Sequence, residues 1–580
     1  MSTARIGGRI LLVGNKPFSV RTRAADLATA ADGGVDVLVV GMGATGAGVA
    51  LDAASRGLRV LVIDKGDVAS GTSSKSSKLV HGGLRYLENY EFGLVREGVQ
   101  ERQLLMRLAP HLVRPMDFLY PVWPDTAKRR LLGVGLTTYD VFAFAALGIR
   151  SGDLRRHERI SAAEAIELAP ALSDSDLAYA YRYGDCATDD ARLVLSVVLA
   201  ARRFGALAVP YAEATGLRKD DNGRVSGAVI TDRVSGGSVD VPARHVVNAT
   251  GVWVDHLQGL EEPGRPAVVQ PSKGVHVVVP RERLPLIDAS ILLPSKQGDG
   301  RSMFAIPWGR QTILGTTDTP YDGSVEELAL TAQDLEYVLA AGNAVFRGSL
   351  TADDVLGAWA GVRPLIREPG TGNAREKMSD ISRRHTLVEG SGGLLTITGG
   401  KLTTYRRMAK DVVDRIVDRD GRKARCRTDE ISLTGTRSYA ELLAETTRSA
   451  AAVGLDDEVA TSLVRQAGEA ASDVLSLVAA DHDLGRRLSP SAPHIAAEIV
   501  QAARSEGATT LDDVFSRRFR LSLRARDAGL PAAPQAALLL AAETGRDDAW
   551  AAAQVRAYAD EVRRERGVLG LDQPGLAAAG

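Results

Sequence analysis

The chain has 580 residues, of which 45% are hydrophobic and 25% are charged, a composition typical of a folded globular protein. This length exceeds what one simple hydrophobic core accommodates, so we expect at least two domains. With 71 basic and 72 acidic residues the formal net charge is -1, which excludes a global field toward nucleic acid or an anionic membrane.

Cysteine usage favours a reducing compartment. The two cysteines, Cys186 and Cys426, lie far apart and in no metal-ligand spacing. We therefore expect neither a disulfide framework nor a metal site. The apolar stretch near the N-terminus is too short for a signal-peptide core, and no run of about 18 uncharged apolar residues exists. The sequence thus predicts a cytoplasmic protein.

The first regular elements form a strand–turn–helix–strand unit. Residues 1–33 are predicted to be an extension that precedes the fold. Val35–Val40 is a β-branched run typical of a buried parallel strand, residues 44–56 are helix-compatible, and residues 59–64 repeat the strand pattern. Such a unit within about thirty residues has the size of a βαβ unit.

Further along, the pattern predicts a mixture of helices and strands, followed by helices alone. Ser161 with Glu164 has capping-box spacing. Beyond Ser432 the 3.6-residue period dominates. The predicted helices are Phe92–Leu108, 161–168 and 189–204, and the predicted β-rich stretches are 206–248 and 275–317. We expect a domain over residues 34–432 and a separate helical domain over residues 433–580.

A glycine-rich turn follows the first strand. Gly41, Gly43 and Gly46 fit G-x-G-x-x-G, in which the glycines permit a tight turn, close approach of a pyrophosphate and close helix packing. The helix N-terminus offers free N–H groups to phosphates. Asp64, 18 residues after Gly46, ends the second strand and can accept hydrogen bonds from ribose hydroxyls. The motif predicts dinucleotide binding without separating NAD from FAD; a ligand-free structural turn is the alternative.

Residues 71–88, GTSSKSSKLVHGGLRYLE, resemble the flavin-proximal loop of the aerobic, FAD-dependent glycerol-3-phosphate dehydrogenases. Seen alone, the loop could be a polar surface loop. Further strings resemble the same family in the same order, at residues 249–253 (ATGVW), 272–276 (SKGVH), 314–320 (LGTTDTP), 360–365 (AGVRPL) and 399–405 (GGKLTTY). Together the strings span about residues 35–430; the helical tail carries no equally specific motif.

The resemblance implies a fold class and a cofactor. The fold is an α/β (α+β) FAD-binding Rossmann-type domain with an interleaved antiparallel-sheet substrate domain, at approximately residues 85–185 and 263–385, plus a C-terminal all-α domain. The implied FAD-binding residues are Gly41, Gly43, Ala44, Thr45, Gly46, Asp64, Lys65, Thr72, Ser73, Ser76, Ser77, Lys78, Leu79, His81, Gly82, Gly83, Ala249, Thr250, Gly251, Asp318, Gly400, Lys401, Leu402 and Thr403.

The resemblance also implies an activity, the oxidation of sn-glycerol 3-phosphate to dihydroxyacetone phosphate by hydride transfer from C2 to flavin N5. Because the protein is neutral overall, the phosphate requires local cations, and arginine suits phosphate bidentately. The implied substrate residues are Arg85, Tyr86, Arg363, Arg383 and Lys401; the register of Arg383 against Arg384 stays open. His81, Arg363 and Lys401 are the expected catalytic residues, and His276 is the alternative base.

The implied electron acceptor is a membrane quinone, reached by a peripheral contact on the inner face of the cell membrane. The candidate surface is the apolar tract 131–149 with the preceding Lys128-Arg129-Arg130; a buried core helix is the alternative. The helical tail forms either a homodimer contact or a cap. Rival interpretations are a glycerol-3-phosphate oxidase that uses dioxygen, a non-catalytic FAD-binding regulatory protein and, more weakly, an NAD-linked dehydrogenase.

Overall fold

A computed structural model describes residues 3–6, 9–12, 17–87, 90–124, 126, 129–145, 154–293, 302–366, 384–433, 435, 437–490 and 492–567. The strands are, in chain order, β1 (Thr3–Ile6), β2 (Arg9–Leu12), β3 (Val35–Val40), β4 (Val60–Ile63), β5 (Leu79–Val80), β6 (Arg114–Val122), β7 (Glu158–Ser161), β8 (Tyr179–Ala187), β9 (Leu207–Val209), β10 (Ala212–Lys219), β11 (Val225–Asp232), β12 (Ser238–Asn248), β13 (Val269–Pro280), β14 (Ala289–Leu293), β15 (Met303–Trp308), β16 (Gln311–Gly315), β17 (Thr319–Pro320), β18 (Gly357–Ile366), β19 (Thr386–Glu389), β20 (Leu395–Thr398), β21 (Arg487–Ser489) and β22 (Ala492–Ile495).

The α-helices are α1 (Val20–Gly33), α2 (Ala44–Ser55), α3 (Phe92–Leu108), α4 (Arg129–Ala145), α5 (Ala162–Leu168), α6 (Asp190–Arg203), α7 (Val254–Glu261), α8 (Ala332–Asn343), α9 (Tyr405–Arg419), α10 (Tyr439–Ala452), α11 (Asp457–Ala467), α12 (Ala471–Ala480), α13 (Ala496–Ser505), α14 (Leu521–Arg524), α15 (Ala533–Thr544) and α16 (Asp548–Gly567). The predicted helix at Phe92–Leu108 is confirmed, and so is the capping box of Ser161 and Glu164.

The first sheet has the strand order β10-β11-β12-β3-β4-β9, with β20 beside β12 and β19 beside β20. Strands β20, β12, β3, β4 and β9 are mutually parallel, and α2 connects β3 to β4. Both faces of β3 are buried, because Val37 and Val39 join one hydrophobic cluster while Leu38 and Val40 join another. This two-sided burial explains why the strand is a continuous apolar run.

The segment before β3 was expected to be an extension, and for its second half that expectation is wrong. Helix α1 buries Leu27 and Ala30 against the first sheet. Two charged residues on the same face, Arg23 and Asp26, are also buried. Arg23 pairs with Asp232 at 2.7 Å and Asp26 pairs with Arg202 at 2.8 Å. A search for apolar periodicity misses this helix because ion pairs occupy part of its buried face.

The second sheet takes its strands from two separate stretches of the chain. Its order is β17-β13-β16-β15-β14-β6-β8-β5, with β18 beside β13 and β7 beside β8. Neighbouring strands run antiparallel except β14 and β6. Strands β5 to β8 precede most of the first sheet in sequence and β13 to β18 follow β12, which confirms the interleaved arrangement of the fold class. Helix α8 packs on one face of this sheet through Leu335 and Val338.

The C-terminal part of the chain is helical, with the short hairpin β21–β22 as an addition. Helices α10, α11 and α12 share one hydrophobic cluster, and α13, α15 and α16 share another. Between α13 and α14 lies a π-helical segment, Asp513–Arg518, whose arginines reach into the first domain. Within the described residues, no helix combines the length and apolarity needed to cross a bilayer.

Candidate active site

The glycine turn after β3 brings the N-terminus of α2 to a cavity of about 500 Å³ between the two sheets. Gly41 has φ +106°, a backbone conformation that favours glycine. A β-carbon at Gly46 would lie 1.8 Å from the carbonyl oxygen of Gly41, so α2 approaches the turn only because residue 46 lacks a side chain. The open N-terminal turn of α2, formed by Gly43, Ala44 and Thr45, therefore faces the cavity as a site for phosphate.

Asp64 stands at the same end of the cavity. Its carboxylate accepts hydrogen bonds from the backbone N–H of Met42 at 2.7 Å and of Gly66 at 2.9 Å. Burial raises the pKa of Asp64 above its ordinary value, and the two backbone donors act against that shift. Because a carboxylate has about four acceptor sites, Asp64 keeps capacity for ribose hydroxyls.

The adjoining residues at this end connect the parts of the chain that carry the two sheets. The Lys65 ammonium donates to Glu326 at 2.6 Å and lies 4.3 Å from the ring centroid of Trp253. The indole N–H of Trp253 donates to the same carboxylate at 2.7 Å. Lys65, a predicted cofactor residue, thus lines the cavity together with two residues that the sequence analysis did not select.

The serine loop, residues 71–78, forms the middle of the cavity wall. The Ser73 hydroxyl accepts from the backbone N–H of Ala44 at 2.9 Å, which ties the loop to the glycine turn. Thr72 donates to the carbonyl of Val362 at 2.6 Å, and the Ser77 hydroxyl lies 2.8 Å from Nε2 of His276. The loop therefore joins both sheets across the cavity.

Lys78 departs from its predicted role. Its ammonium donates to Asp190 at 2.9 Å and to the carbonyl of Ser74 at 3.3 Å, inside the protein and away from the cavity. Its side chain therefore stabilises the loop from behind and does not face a pyrophosphate. Sequence inspection could not separate the two roles, because Asp190 lies 112 residues further along the chain.

The opposite end of the cavity carries the cationic residues that were predicted to bind the substrate. Arg363 on β18 donates to Asp318 at 3.3 Å and to the Thr316 hydroxyl at 3.0 Å. Lys401 follows Gly400, and its ammonium lies 3.5 Å from the ring centroid of Tyr86. Arg363, Lys401 and Tyr86 all line the same cavity. Of the remaining predicted cations, Arg383 lies outside the described residues, and the structure describes the backbone of Arg85 only.

Both candidate histidines lie in the cavity wall. The backbone N–H of His81 donates to the Thr403 hydroxyl at 3.3 Å, so the loop of His81 joins the segment that follows Lys401. His276 is buried and stacks on Trp359, with ring centroids 4.7 Å apart. Burial, together with the positive charges of Arg363 and Lys78, lowers the pKa of His276 well below its ordinary value. This shift disfavours the protonated form of the His276 imidazole.

Most of the predicted site residues come together in this one cavity. Those that line it are Gly41, Gly43, Ala44, Thr45, Asp64, Lys65, Thr72, Ser73, Ser76, Ser77, Leu79, His81, Tyr86, Ala249, Thr250, Gly251, Arg363, Gly400, Lys401, Leu402 and Thr403. Those that do not are Gly46, Lys78, Gly82, Gly83 and Asp318.

The residues outside the wall support those within it. Asp318 accepts a hydrogen bond from Arg363, which orients the guanidinium. A β-carbon at Gly82 would lie 2.5 Å from Oη of Tyr139, and one at Gly83 would lie 2.2 Å from the ring of Tyr86. These glycines allow close packing beside the cavity without lining it.

Several wall residues were not predicted, among them Lys75, Trp253, His256 and Glu326. Lys75 and Trp253 lie inside the strings 71–88 and 249–253 that the sequence analysis singled out. Their position next to the selected residues is the signal that could have identified them. His256 and Glu326 have no local signal, because helix α7 and the loop after β17 bring them to the cavity through tertiary packing alone.

The wall fits a flavin dinucleotide. It offers a helix N-terminus for phosphates at one end and a buried cation at the other, with hydroxyl-rich backbone between them. The buried hydroxyl of Thr398 in this wall has no hydrogen-bond partner among the described residues, as expected of a group that binds a ligand.

Comparison with known proteins agrees with this fit. Residues 36–406 match the family described as FAD dependent oxidoreductase, and residues 426–551 match the C-terminal domain of alpha-glycerophosphate oxidase. Glycerol-3-phosphate dehydrogenase 2 of Mycobacterium bovis is 38% identical over 543 residues, which cover 93% of this chain and 89% of that protein. The human mitochondrial glycerol-3-phosphate dehydrogenase is 36% identical over 536 residues, covering 88% of this chain and 71% of that protein.

Among solved structures, the glycerol-3-phosphate dehydrogenase from Bacillus halodurans complexed with FAD has a TM-score of 0.77 and 29% identity, and the match covers 94% of this chain and 98% of that chain. FAD is therefore the cofactor, and the fold class predicted from the sequence is confirmed.

Replacing Gly46 with alanine should abolish FAD binding, because the new β-carbon would collide with the Gly41 carbonyl and displace α2 from the turn. The purified variant should lack the visible flavin absorbance of the parent. Gly93→Ala is the matched control, since Gly93 also lies in the first turn of a helix and has no atom within 4 Å of an added β-carbon. Full flavin occupancy in Gly46→Ala would contradict this account of the turn.

Proposed function

Because the chain belongs to the FAD-dependent oxidoreductases and, within them, to the glycerol-3-phosphate dehydrogenases, we propose that it oxidises sn-glycerol 3-phosphate to dihydroxyacetone phosphate. The observation that carries the proposal is that Arg363 and Lys401 line the same cavity as the dinucleotide cradle. Bound FAD supplies the acceptor for the hydride that leaves C2 of the substrate. The residues of this chain bind the phosphate, orient C2 and remove the proton of its hydroxyl.

The cations Arg363 and Lys401 favour a phosphorylated substrate. The protein has a net charge of -1, so its overall field attracts no anion and the attraction must be local. Each charge-assisted hydrogen bond to phosphate contributes roughly 1.5–3 kcal/mol. We assign Arg363 and Lys401 to this role and keep Arg85, Tyr86 and Arg383 as further proposed substrate residues.

Arg363 is suited to hold the substrate in one orientation. Its guanidinium donates to Asp318, to the Thr316 hydroxyl and to the carbonyl of Thr317 at 3.1 Å, so its position is fixed before any substrate binds. Such preorganisation reduces the entropy that binding would otherwise consume. A fixed phosphate position in turn fixes the carbon that reacts.

For the proton acceptor we propose His81 in preference to His276. An effective general base has a pKa near the working pH. Burial and the charges of Arg363 and Lys78 hold the pKa of His276 well below that range, so its imidazole is a weak proton acceptor. His81 lines the same cavity and is only partly buried, which leaves it the better placed of the two histidines.

Anaerobic reduction tests the proposed function directly. The purified holoprotein, mixed with glycerol 3-phosphate in the absence of oxygen and acceptor, should lose its visible flavin absorbance. Glycerol, glyceraldehyde 3-phosphate and the enantiomeric phosphate serve as controls in the same panel. Failure to bleach with sn-glycerol 3-phosphate would refute the substrate assignment, and a protein that bleaches with none of the panel would support the non-catalytic alternative.

Replacing Arg363 with alanine should raise KM for glycerol 3-phosphate by about a hundredfold or more, because two charge-assisted hydrogen bonds to phosphate are lost. Arg363→Lys should recover part of the loss, since lysine keeps the charge but not the planar fork. Steady-state kinetics with an artificial dye would measure both. Arg347→Ala is the control, because Arg347 is exposed and pairs with Asp174 at the surface. An unchanged KM in Arg363→Ala would remove this residue from the substrate site.

For the acceptor we propose a membrane quinone, reached from the cytoplasmic face of the cell membrane. Supporting this is an apolar patch formed by Tyr90, Phe92, Val134 and Val141, which are 78%, 44%, 64% and 56% exposed. Val134 and Val141 lie seven residues apart on α4 and so share one helix face. Phe92 contacts Phe142 of the same helix, with ring centroids 6.5 Å apart. An exposed apolar patch on a helix suits interfacial membrane binding.

The double substitution Val134→Glu with Val141→Glu should prevent binding to phospholipid vesicles, because two charges would enter the apolar layer. We expect quinone reductase activity in vesicles to fall at least about tenfold while activity with a water-soluble dye stays unchanged. Leu538→Glu is the control, since Leu538 is 50% exposed but lies on α15, far along the chain. Vesicle binding that survives the double substitution would exclude the patch as the membrane contact.

Dioxygen is the competing acceptor, and the description of the C-terminal family as a domain of an alpha-glycerophosphate oxidase keeps it open. Peroxide formation in air, at a rate that matches substrate oxidation without any quinone or dye, would identify an oxidase. Peroxide far below that rate, with quinone required for turnover, would support the dehydrogenase.

A further inference from the structure

One arginine of the C-terminal domain reaches the back of the serine loop. Arg520 is 2% exposed, and its guanidinium donates to Asp189 at 2.9 and 3.2 Å and also to Asp190. Its Nη1 also donates to the carbonyl of Ser74 at 3.4 Å. The backbone of Arg520 has φ +60°, uncommon for a non-glycine residue, so the fold accepts a strained conformation at the point where this side chain enters the first domain.

Asp190 links Arg520 to the side of the loop that faces the cavity. Its Oδ2 accepts from the backbone N–H of Ser76 at 3.0 Å and from the Ser76 hydroxyl at 2.7 Å. Its Oδ1 accepts from the Lys78 ammonium at 2.9 Å. Asp190 is fully buried, and both of its oxygens bind the loop, so the carboxylate sets the loop conformation between residues 76 and 78.

The next residue of the loop, Ser77, makes the contact with His276 in the cavity wall. Ser76 and Ser77 are themselves wall residues. The chain of contacts therefore runs from Arg520 through Asp190 and Ser76 to the surface that receives FAD, and each member is linked by a hydrogen bond of ordinary length or shorter.

A second pair of arginines from the same segment holds the other cofactor loop. Arg518 donates to both oxygens of Asp67, at 2.7 and 2.9 Å, and Arg517 donates to Asp67 at 2.6 Å. Burial alone would raise the pKa of Asp67, but the two guanidinium groups hold it below its ordinary value. Asp67 follows the predicted cofactor residues Asp64 and Lys65. The C-terminal domain therefore contacts both the loop of Asp67 and the serine loop.

The buried charges of this contact favour one arrangement of the loop. Asp189 and Asp190 are neighbouring carboxylates, and Lys78 with Arg520 supplies the positive charge that faces them. Breaking a buried ion pair by removing one member leaves an uncompensated buried charge, which is strongly destabilising. Without Arg520, Lys78 alone would balance the two carboxylates, and Asp190 would lose one of the partners that hold it in place beside Ser76.

We propose that the C-terminal helical domain is part of the FAD-binding apparatus, with Arg520 acting through Asp190 as a positioning residue for Ser76 and Ser77. The proposal rests on FAD binding and not on the identity of the substrate, so it can fail while the proposed function stands. It assigns the domain a role that neither a dimer contact nor a simple cap would have.

The test measures release of FAD from the full-length holoprotein on dilution, followed by the rise in flavin fluorescence. Arg520→Met should increase the dissociation constant of FAD at least about tenfold, and Arg520→Lys should recover part of the affinity because it restores the charge opposite Asp190. The thermal midpoint of each FAD-depleted variant, measured alongside, separates loss of cofactor affinity from loss of general stability.

Arg566→Met is the matched control. Arg566 is also a buried arginine of the C-terminal domain, but within the described part of the chain it donates only to carbonyls of that domain, those of Ser522, Ala525 and Arg526. It should lower the thermal midpoint as Arg520→Met does while leaving the FAD dissociation constant within about twofold of the parent. Equal FAD affinity in the two methionine variants would overturn the proposal.

If Arg520→Met does not fold, Asp190→Asn tests the same chain, because asparagine keeps the size of the side chain and removes its charge. It should weaken FAD binding at least about tenfold and shift the visible absorbance of the bound flavin. A parent-like dissociation constant and spectrum in Asp190→Asn would overturn the proposal.

Discussion

The missing side chain at Gly46 is the constraint on which the cofactor site depends. It allows α2 to approach the turn after β3 so closely that a single β-carbon would overlap the Gly41 carbonyl. That approach directs the free N–H groups at the start of α2 into the cavity, where the helix dipole adds positive potential. It also brings Ala44 within reach of Ser73, so the serine loop is built on the turn. The turn thus fixes the positions of both segments that we propose to hold the dinucleotide.

The protein has almost no net charge, but its buried charged residues are concentrated in particular places. The chain is nearly neutral, yet buried carboxylates and arginines concentrate behind the cofactor loops, at Asp67 and Asp190. Such pairs contribute little net stability compared with apolar packing, but they penalise any arrangement that separates the partners. They are therefore suited to fix loop geometry. The cations proposed to bind the substrate differ, because Arg363 and Lys401 line the cavity wall.

The sequence predicts what local chemistry determines. The βαβ unit, helix α3 and the capping box at Ser161 follow from periodicity and from residues within one turn of each other. Most cavity residues follow from the resemblance of short strings. Long-range pairing explains the failures: Lys78 turns inward because Asp190 lies behind it, and α1 hides its buried face because Arg23 and Asp26 meet partners about 200 and 180 residues away. Glu326 reaches the cavity only through the packing of one sheet against the other.

Helix α4 contains residues 131–145 of the apolar tract and has one exposed and one buried face, while residues 146–149 and Lys128 lie outside the described residues. Its outer face exposes Val134 and Val141, while its inner face buries Leu136 and Tyr139. The Tyr139 hydroxyl accepts from the backbone N–H of Gly82 at 2.9 Å and donates to Asp185 at 2.7 Å. Gly82 follows His81, so one helix carries the apolar patch on one side and a hydrogen bond to the histidine loop on the other. The Tyr139 hydroxyl also accepts from Arg102 at 3.3 Å, so α4 joins the surface proposed to meet the membrane to the loop that carries His81.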